Sequence, residues 1–282
     1  MKRKLRWLIS LVLALLLAAG VVFLCVRRPN TVFRVKAKLY TLTHRVRLER
    51  VDEAEYEWLP GAGDAAWDES LLLVSAEHPL PEDYEATVAE YRDSGVLMHP
   101  ALHEAYAALS AAVTERYGEK LYIRSAYRSR DKQLEVMAEE GDKAAGADAS
   151  EHRTGLALDV YVPYYAGAAF TKVPAGQYVN LECWEYGFII RYPWGKSGVT
   201  GIPYEPWHLR YVGAPHAKAI ALSGTTLEEY LSSLEPGAVY TLDGAIFSLE
   251  TRDTLRRPAG AWETSFSPVW GDFVMMTALP RS

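Results

Sequence analysis

The sequence predicts an α+β fold: a small, mostly antiparallel sheet with flanking helices. Three observations carry that class. Apolar residues recur at helical 3–4 spacing in only a few stretches, the strand-like runs are short and turn-linked, and Pro/Gly clusters interrupt the pattern too often for regular βαβ crossovers. At 282 residues and 49% hydrophobic, the chain is long enough to bury a real core. Two cysteines, Cys25 and Cys183, exclude a disulfide scaffold or a cysteine-built metal site, and Cys183 reads as a small buried hydrophobe. A net charge of −6 argues against a nucleic-acid binder.

That average hides a division. The first 50 residues carry 12 Lys and Arg against one acid, Glu49, whereas the remainder carries 18 against 35, giving +11 and −17. Residues 7–26 hold no charge and are mostly Leu, Val and Ala. As a helix they would cover roughly 30 Å of hydrocarbon, which predicts one transmembrane signal-anchor behind a cytoplasmic stub at 1–6. A cleaved signal peptide is the rival reading, but no small-residue cleavage site precedes Arg27 and Arg28. Residues 27–65 read as a basic stem, either a solvated face or a contact with anionic headgroups or wall polymers, ending in Leu59-Pro60-Gly61-Ala62-Gly63.

The main domain is expected over 66–234. Leu71 to Val74 reads as a short strand, closed by His78-Pro79-Leu80-Pro81. His99-Pro100 precedes a helix over 101–117, whose Leu102, Ala105, Tyr106, Leu109, Val113 and Tyr117 share one face. A strand at 121–123, a helix at 131–140 and a loop at 140–150 follow. From Gly155 to Val162 the residues alternate, with Leu156, Leu158, Val160 and Val162 on one face and Ala157, Asp159 and Tyr161 on the other. Residues 188–190 and 207–212 are further strands, and Thr225, Thr226 and Glu228 open a last helix ending near Leu234. Glu235-Pro236-Gly237 opens a β-rich extension over 235–282, with a hairpin turning at Asp243-Gly244 and another strand within 269–279. Being short, this extension is expected to dock on the main body.

Two segments gather metal-type residues: Ser150 to Asp159, and Glu205 to Tyr211. Asp159 lies mid-strand among Leu158 and Val160, where an unpaired carboxylate would be costly, so something positive must face it. Thr154-Gly155 supplies a turn that could fold His152 back over Asp159, and His208 sits in another alternating strand. Two imidazoles and a carboxylate make three zinc ligands, leaving a fourth position open as hydrolytic sites require. Glu205, three residues before His208, is placed as the general base that takes a proton from water and passes it to the leaving amine. Either segment alone is more commonly structural core. Arg128, in Ser125 to Gln133 between a strand and a helix, could hold a carboxylate bidentately or stabilise an oxyanion, although a surface ion pair is the ordinary role there.

With these residues in view, the chain resembles the VanY-like D-alanyl-D-alanine carboxypeptidases, zinc peptidases acting on bacterial cell-wall stem peptides. The family's S-x-H-x-x-G-x-A-x-D motif is met by Ser150, His152, Gly155, Ala157 and Asp159, and its E-x-W-H motif by Glu205, Trp207 and His208. Tyr127-Arg128-Ser129 and Gln133 match a third segment, in which Ala126 stands where the family usually has Gly. The resemblance covers roughly residues 70–234.

It implies one zinc ion held by His152, Asp159 and His208, with Glu205 as base and Arg128 as substrate anchor. Gln133, Ser150 and Trp207 would line the substrate cleft. The implied activity is D,D-carboxypeptidase cleavage of terminal D-Ala from peptidoglycan stem peptides, with the catalytic domain outside the cell membrane. An L,D-carboxypeptidase trimming tetrapeptide stems is the alternative, followed by a non-catalytic peptidoglycan-binding module or a scaffold working through the extension. No protein partner and no nucleic acid are implied.

Overall fold

The computed structural model describes residues 2–141 and 145–281; the side chains at 2–5, 8, 17–18, 21–22, 24–26 and 140 lie outside the described set. The centre is a four-stranded sheet in the order Tyr122–Ser125, Ala157–Tyr161, His208–Tyr211, Phe188–Ile190, with every pairing antiparallel. One face of the Ala157–Tyr161 strand is apolar as the alternation predicts. Leu156, Leu158, Val160 and Val162 join Leu102, Tyr106, Leu109 and Val113, the stripe of the Leu102–Tyr117 helix, in one core. That helix stops at Gly118, whose φ of 68° suits a residue without Cβ. The Arg130–Glu140 helix starts at Ser129, whose hydroxyl accepts from the Lys132 N–H. Residues 142–144 of the expected loop lie outside the described residues.

The C-terminal extension is the larger surprise. Its hairpin turns at Asp243 and Gly244 with both φ positive, as a tight hairpin requires. The sheet it builds has six strands, in the order Glu49–Val51, Val239–Leu242, Ala245–Thr251, Phe273–Pro280, Trp262–Pro268, Ala66–Trp67. Both outer strands come from the N-terminal side of the main domain. Trp58–Pro60 also pairs with Arg256–Pro258. Residues 27–65, expected as a stem, are therefore folded: they hold a helix and two strands, of which Glu49–Val51 closes one edge of the six-stranded sheet and Trp58–Pro60 forms a separate two-stranded pair. Strands of two or three residues are too short to display a period, which is why the sequence reads as linker there. Leu71 to Val74 is likewise buried but forms no strand. Its Leu71 N–H donates to Ser267 Oγ (2.9 Å) and its Leu73 N–H to the Val269 carbonyl (2.9 Å).

The extension docks as expected. Leu242, Phe247, Leu249 and Met275 share a core with Ile189, Val212, Ile220 and Leu227 of the main body. Thr226 and Glu229 form a reciprocal capping box on the Leu227–Ser232 helix. Cys183 is 1% exposed, and burial pushes its thiol pKa up, consistent with an inert core residue.

At the N-terminus, Lys2–Arg27 forms a helix, α1, followed after Arg28 by a second, α2, over Pro29–Thr43. Among the described residues no helix is long and apolar enough to cross a membrane. The expected span at 7–26 falls partly on side chains outside that set.

His216 links the two units. Its ring nitrogens lie 2.7 Å from the Tyr230 hydroxyl and 2.8 Å from Thr277 Oγ1, and its ring packs against Phe247. Burial among neutral partners pushes its pKa down to about 3. The unfolded chain takes up that proton near pH 6.5 and the native state refuses it, so stability falls as pH drops from 6.5 towards 3, by about 1.4 kcal/mol per unit at most. Denaturant midpoints between pH 7 and 4 check this: His216→Gln should flatten part of the decline, and parallel curves would remove His216 as its source.

Candidate active site

Sheet register brings the first two site residues together. Asp159 pairs directly across from His208 in neighbouring antiparallel strands, and its Oδ1 lies 3.1 Å from His208 Nδ1. His152 arrives from the other side. It sits in a tight 3₁₀ turn, Glu151–Thr154, that ends at Gly155 with φ 71°. A Cβ at Gly155 would stand 2.8 Å from Val88 Cγ1 and 3.0 Å from the His99 nitrogen, so glycine is required for both conformation and space. The turn sets His152 Nε2 3.4 Å from Asp159 Oδ2, as the Thr154-Gly155 spacing predicts.

Each imidazole is oriented from behind. His152 Nδ1–H donates to the Ala126 carbonyl at 2.7 Å, which leaves the Nε2 lone pair aimed at Asp159. Ala126 is not among the described non-glycine residues with positive φ, so the alanine at that position is accommodated without strain. His208 presents Nδ1 to Asp159 and turns Nε2 to the buried Glu151, whose Oε2 stands 3.6 Å away. Burial opposes charge on His152 and, with nearby His208 and Arg128, lowers its pKa despite Asp159. Burial also opposes charge on His208, yet Asp159 and Glu151 outweigh it and push its pKa up to about 9. Asp159 pays the same burial cost, and the two imidazoles still hold its carboxyl below the usual range.

This arrangement fits a metal ion. One donor atom from each of His152, Asp159 and His208 lies within 4.8 Å of the others. Asp159 Oδ1 stands 3.1 Å from His208 Nδ1 and its Oδ2 3.4 Å from His152 Nε2, so the carboxylate lies between two imidazoles close enough to share one ion. Asp159 Oδ1 is buried with no hydrogen-bond partner among the described residues, which is costly unless a cation satisfies it.

The three donors open onto a cleft of about 620 Å³, also lined by Arg128, Gln133, Ser150, Tyr192, Glu205 and Trp207. Glu205 Oε2 is 3.7 Å from His208 Nδ1. Its backbone is pinned at both ends: Glu205 N–H donates to the Tyr192 carbonyl, and the Glu205 carbonyl accepts from His208 N–H, both at 3.1 Å. Asn180 holds the intervening Pro206 carbonyl at 2.8 Å. Arg128 N–H donates to the His152 carbonyl at 3.1 Å, so its side chain starts beside the metal donors. Gln133 is 1% exposed, donates to the Ala145 carbonyl, and keeps a buried Oε1 without a hydrogen-bond partner among the described residues. That oxygen suits a substrate N–H. All eight residues singled out in the sequence thus meet at one cleft.

Sequence reasoning missed the layer beneath. Glu151 Oε1 accepts from Arg191 Nε (2.7 Å) and Arg210 Nη1 (2.8 Å), and all three side chains are fully buried. Arg191 also forms a two-pronged pair with Glu228, at 2.9 and 2.6 Å. The two arginines hold the Glu151 carboxyl far below its usual range against the cost of burial. The one sequence signal was Arg210, which shares the alternating face of His208.

A His₂Asp donor set with both imidazoles buried, beside a carboxylate in an open cleft, defines the class: a mononuclear metal centre of the hydrolytic type. Residues 95–214 match the family model for VanY, D-alanyl-D-alanine carboxypeptidase. The chain is 32% identical over 183 residues to a bifunctional D-Ala-D-Ala dipeptidase and carboxypeptidase of Enterococcus gallinarum, covering 57% of this chain and 93% of the relative. A D-alanyl-D-alanine carboxypeptidase of Enterococcus faecium is also 32% identical, over 59% of this chain, and the match spans 58% of that protein's length. Among solved structures, a vancomycin-resistance D,D-pentapeptidase VanY variant in complex with Zn(II) superposes with a TM-score of 0.51 at 31% identity, covering 57% of this chain and 98% of its own. The chain belongs to the VanY family of D-alanyl-D-alanine carboxypeptidases.

Proposed function

We propose that this chain is a zinc D,D-carboxypeptidase that removes the terminal D-Ala from peptidoglycan stem peptides. The observation that carries the reading is the Asp159 carboxylate set between two imidazoles, its Oδ1 buried without a hydrogen bond among the described residues, opening onto a cleft that also holds Glu205 and Arg128. Zinc held by His152, Asp159 and His208 would supply Lewis-acid polarisation and make water available as a nucleophile near neutral pH. Arg128 receives the negative charge of the substrate, its terminal carboxylate or the oxygen that develops charge during attack. Glu205 takes one proton from the attacking water as the C–O bond forms. It returns that proton to the amine nitrogen as the C–N bond breaks, releasing D-Ala and a stem peptide shortened by one residue. Trp207 and Ser150 shape the cleft, and Gln133 Oε1 accepts a substrate N–H.

The chain is further proposed to be held at the cell membrane by residues 7–26, with the domain outside the cytoplasm. Support comes from the uncharged 20-residue run and from the location of cell-wall substrate. Incubating the purified chain with defined penta- and tetrapeptide stems, with and without a chelator, tests the activity. Loss of one D-Ala from the pentapeptide, abolished by chelation and restored by zinc, is the expected result. Release of D-Ala only from tetrapeptides would establish the L,D alternative. No product from either would leave a binding module.

A further inference from the structure

We infer that the outward face of α2 is a bilayer-surface helix, which seats the cleft-bearing body on an anionic membrane. The inference rests on the membrane-anchored reading above and adds a second contact to it. One face of α2 is already satisfied by the body. Phe33 is 2% exposed, the Tyr40 hydroxyl donates to Glu182 at 2.8 Å, and Asn30 Nδ2 donates to the Ala168 carbonyl at 3.0 Å. The Arg34 guanidinium lies over the rings of Trp194 and Tyr204, 5.3 and 5.4 Å from their centroids.

The opposite face is apolar and uncovered. Val32, Val35, Leu39 and Leu42 are 37, 58, 56 and 60% exposed. Their separations of three, four and three residues draw one line along the helix. A water-facing helix normally carries polar residues there. Exposed Lys36 and Lys38 stand on either side of the line, positioned to reach headgroups while their stems lie along acyl chains. From Arg27 through Arg47 there are seven Lys and Arg and no acid. That pattern, a narrow aliphatic stripe between cations, is complementary to an anionic lipid surface. The position fits as well, because α2 begins two residues after α1 ends. Arg28, at φ −135° and ψ 55°, leaves the helical conformation ahead of Pro29, so the chain can turn where the apolar run stops.

The same spacing would suit a coiled-coil seam with a second copy. It covers only about two heptads, however, and neither flank offers an acid to pair with Lys36 and Lys38. Lipid is therefore the occupant. Because α2 is fastened to the body rather than tethered, the cleft is held close to the bilayer, and stem peptides near the membrane are the ones it reaches.

The test uses the full chain with Cys25→Ser, reconstituted in phosphatidylcholine vesicles with or without phosphatidylglycerol. Nitroxide labels are placed singly by Val35→Cys, Leu42→Cys or Asp253→Cys, the native Cys183 being buried. At 35 and 42 we expect collisions with oxygen to exceed those with a water-soluble nickel chelate, most strongly with phosphatidylglycerol present. Asp253→Cys should show the reverse. Lys36→Glu with Lys38→Glu should abolish the gain from phosphatidylglycerol. Floating with the vesicles while 35 and 42 stay aqueous would overturn the surface-helix inference alone. Spin–spin broadening at those sites would replace lipid by a second copy. Failure to float would overturn the anchored reading and this inference together.

Discussion

Replacing Glu205 by Ala is expected to lower kcat by about 10²–10⁴-fold while zinc stays bound. The two halves of that result have separate causes. The metal donors are His152, Asp159 and His208, and each is oriented without the Glu205 side chain, through the Ala126 carbonyl, the sheet register and Glu151. The Glu205 backbone bonds to Tyr192 and His208 also survive truncation, so the segment carrying His208 keeps its shape. What disappears is the carboxylate that stands beside His208 in the cleft and is proposed to carry a proton between water and leaving amine. Zinc content by atomic absorption and turnover of a D-Ala-D-Ala-terminated peptide check both halves. Turnover within a few-fold of the native chain would falsify the assigned role, and loss of zinc would make Glu205 a ligand instead.

The second large effect concerns stability. Glu151→Ala should destabilise the chain by about 3–5 kcal/mol, because it strands buried cationic groups without their shared counterion. Arg191 keeps its pair with Glu228, but Arg210 is left with only the neutral carbonyls of Ser70, Leu72 and Tyr211 as its close partners. Glu151→Gln keeps an acceptor for the two guanidiniums and should cost less, although it too leaves charge uncompensated. Denaturant midpoints at neutral pH measure the difference. A Glu151→Ala chain within about 1 kcal/mol of the native one would mean that Arg210 finds another partner or water.

The site was more legible than the scaffold around it, for a physical reason. Asp159 declares itself because a carboxylate within a strand of Leu158 and Val160 must be neutralised. Gly155 and the turn before it show how His152 gets there. Such signals are local in sequence. The Glu151 network is not: its partners Arg191 and Arg210 lie 40 and 59 residues further on, and although Arg210 shares the face of His208, no spacing ties either arginine to Glu151. Residues 49–67 hid their strands because a three-residue strand shows no alternation. Leu71 to Val74 misled in the opposite way. An apolar run reads as a strand whenever its backbone groups need partners, and here those partners are the Ser267 hydroxyl and the Val269 carbonyl, nearly two hundred residues away.

That last pairing governs the order in which the molecule can be completed. Glu49–Val51 and Ala66–Trp67 are the outermost strands of a sheet whose inner four come from residues after 238. A chain delivered amino end first must leave those early segments without their sheet partners until residues past 238 have emerged. Loop closure over nearly two hundred residues then adds an entropic delay. Final locking of the buried layer beside the metal site waits for the same event, because Arg210 binds the carbonyls of Ser70 and Leu72 and that stretch is held by the last strands. Emergence of residues 239–280 thus sets when the cleft acquires its finished support.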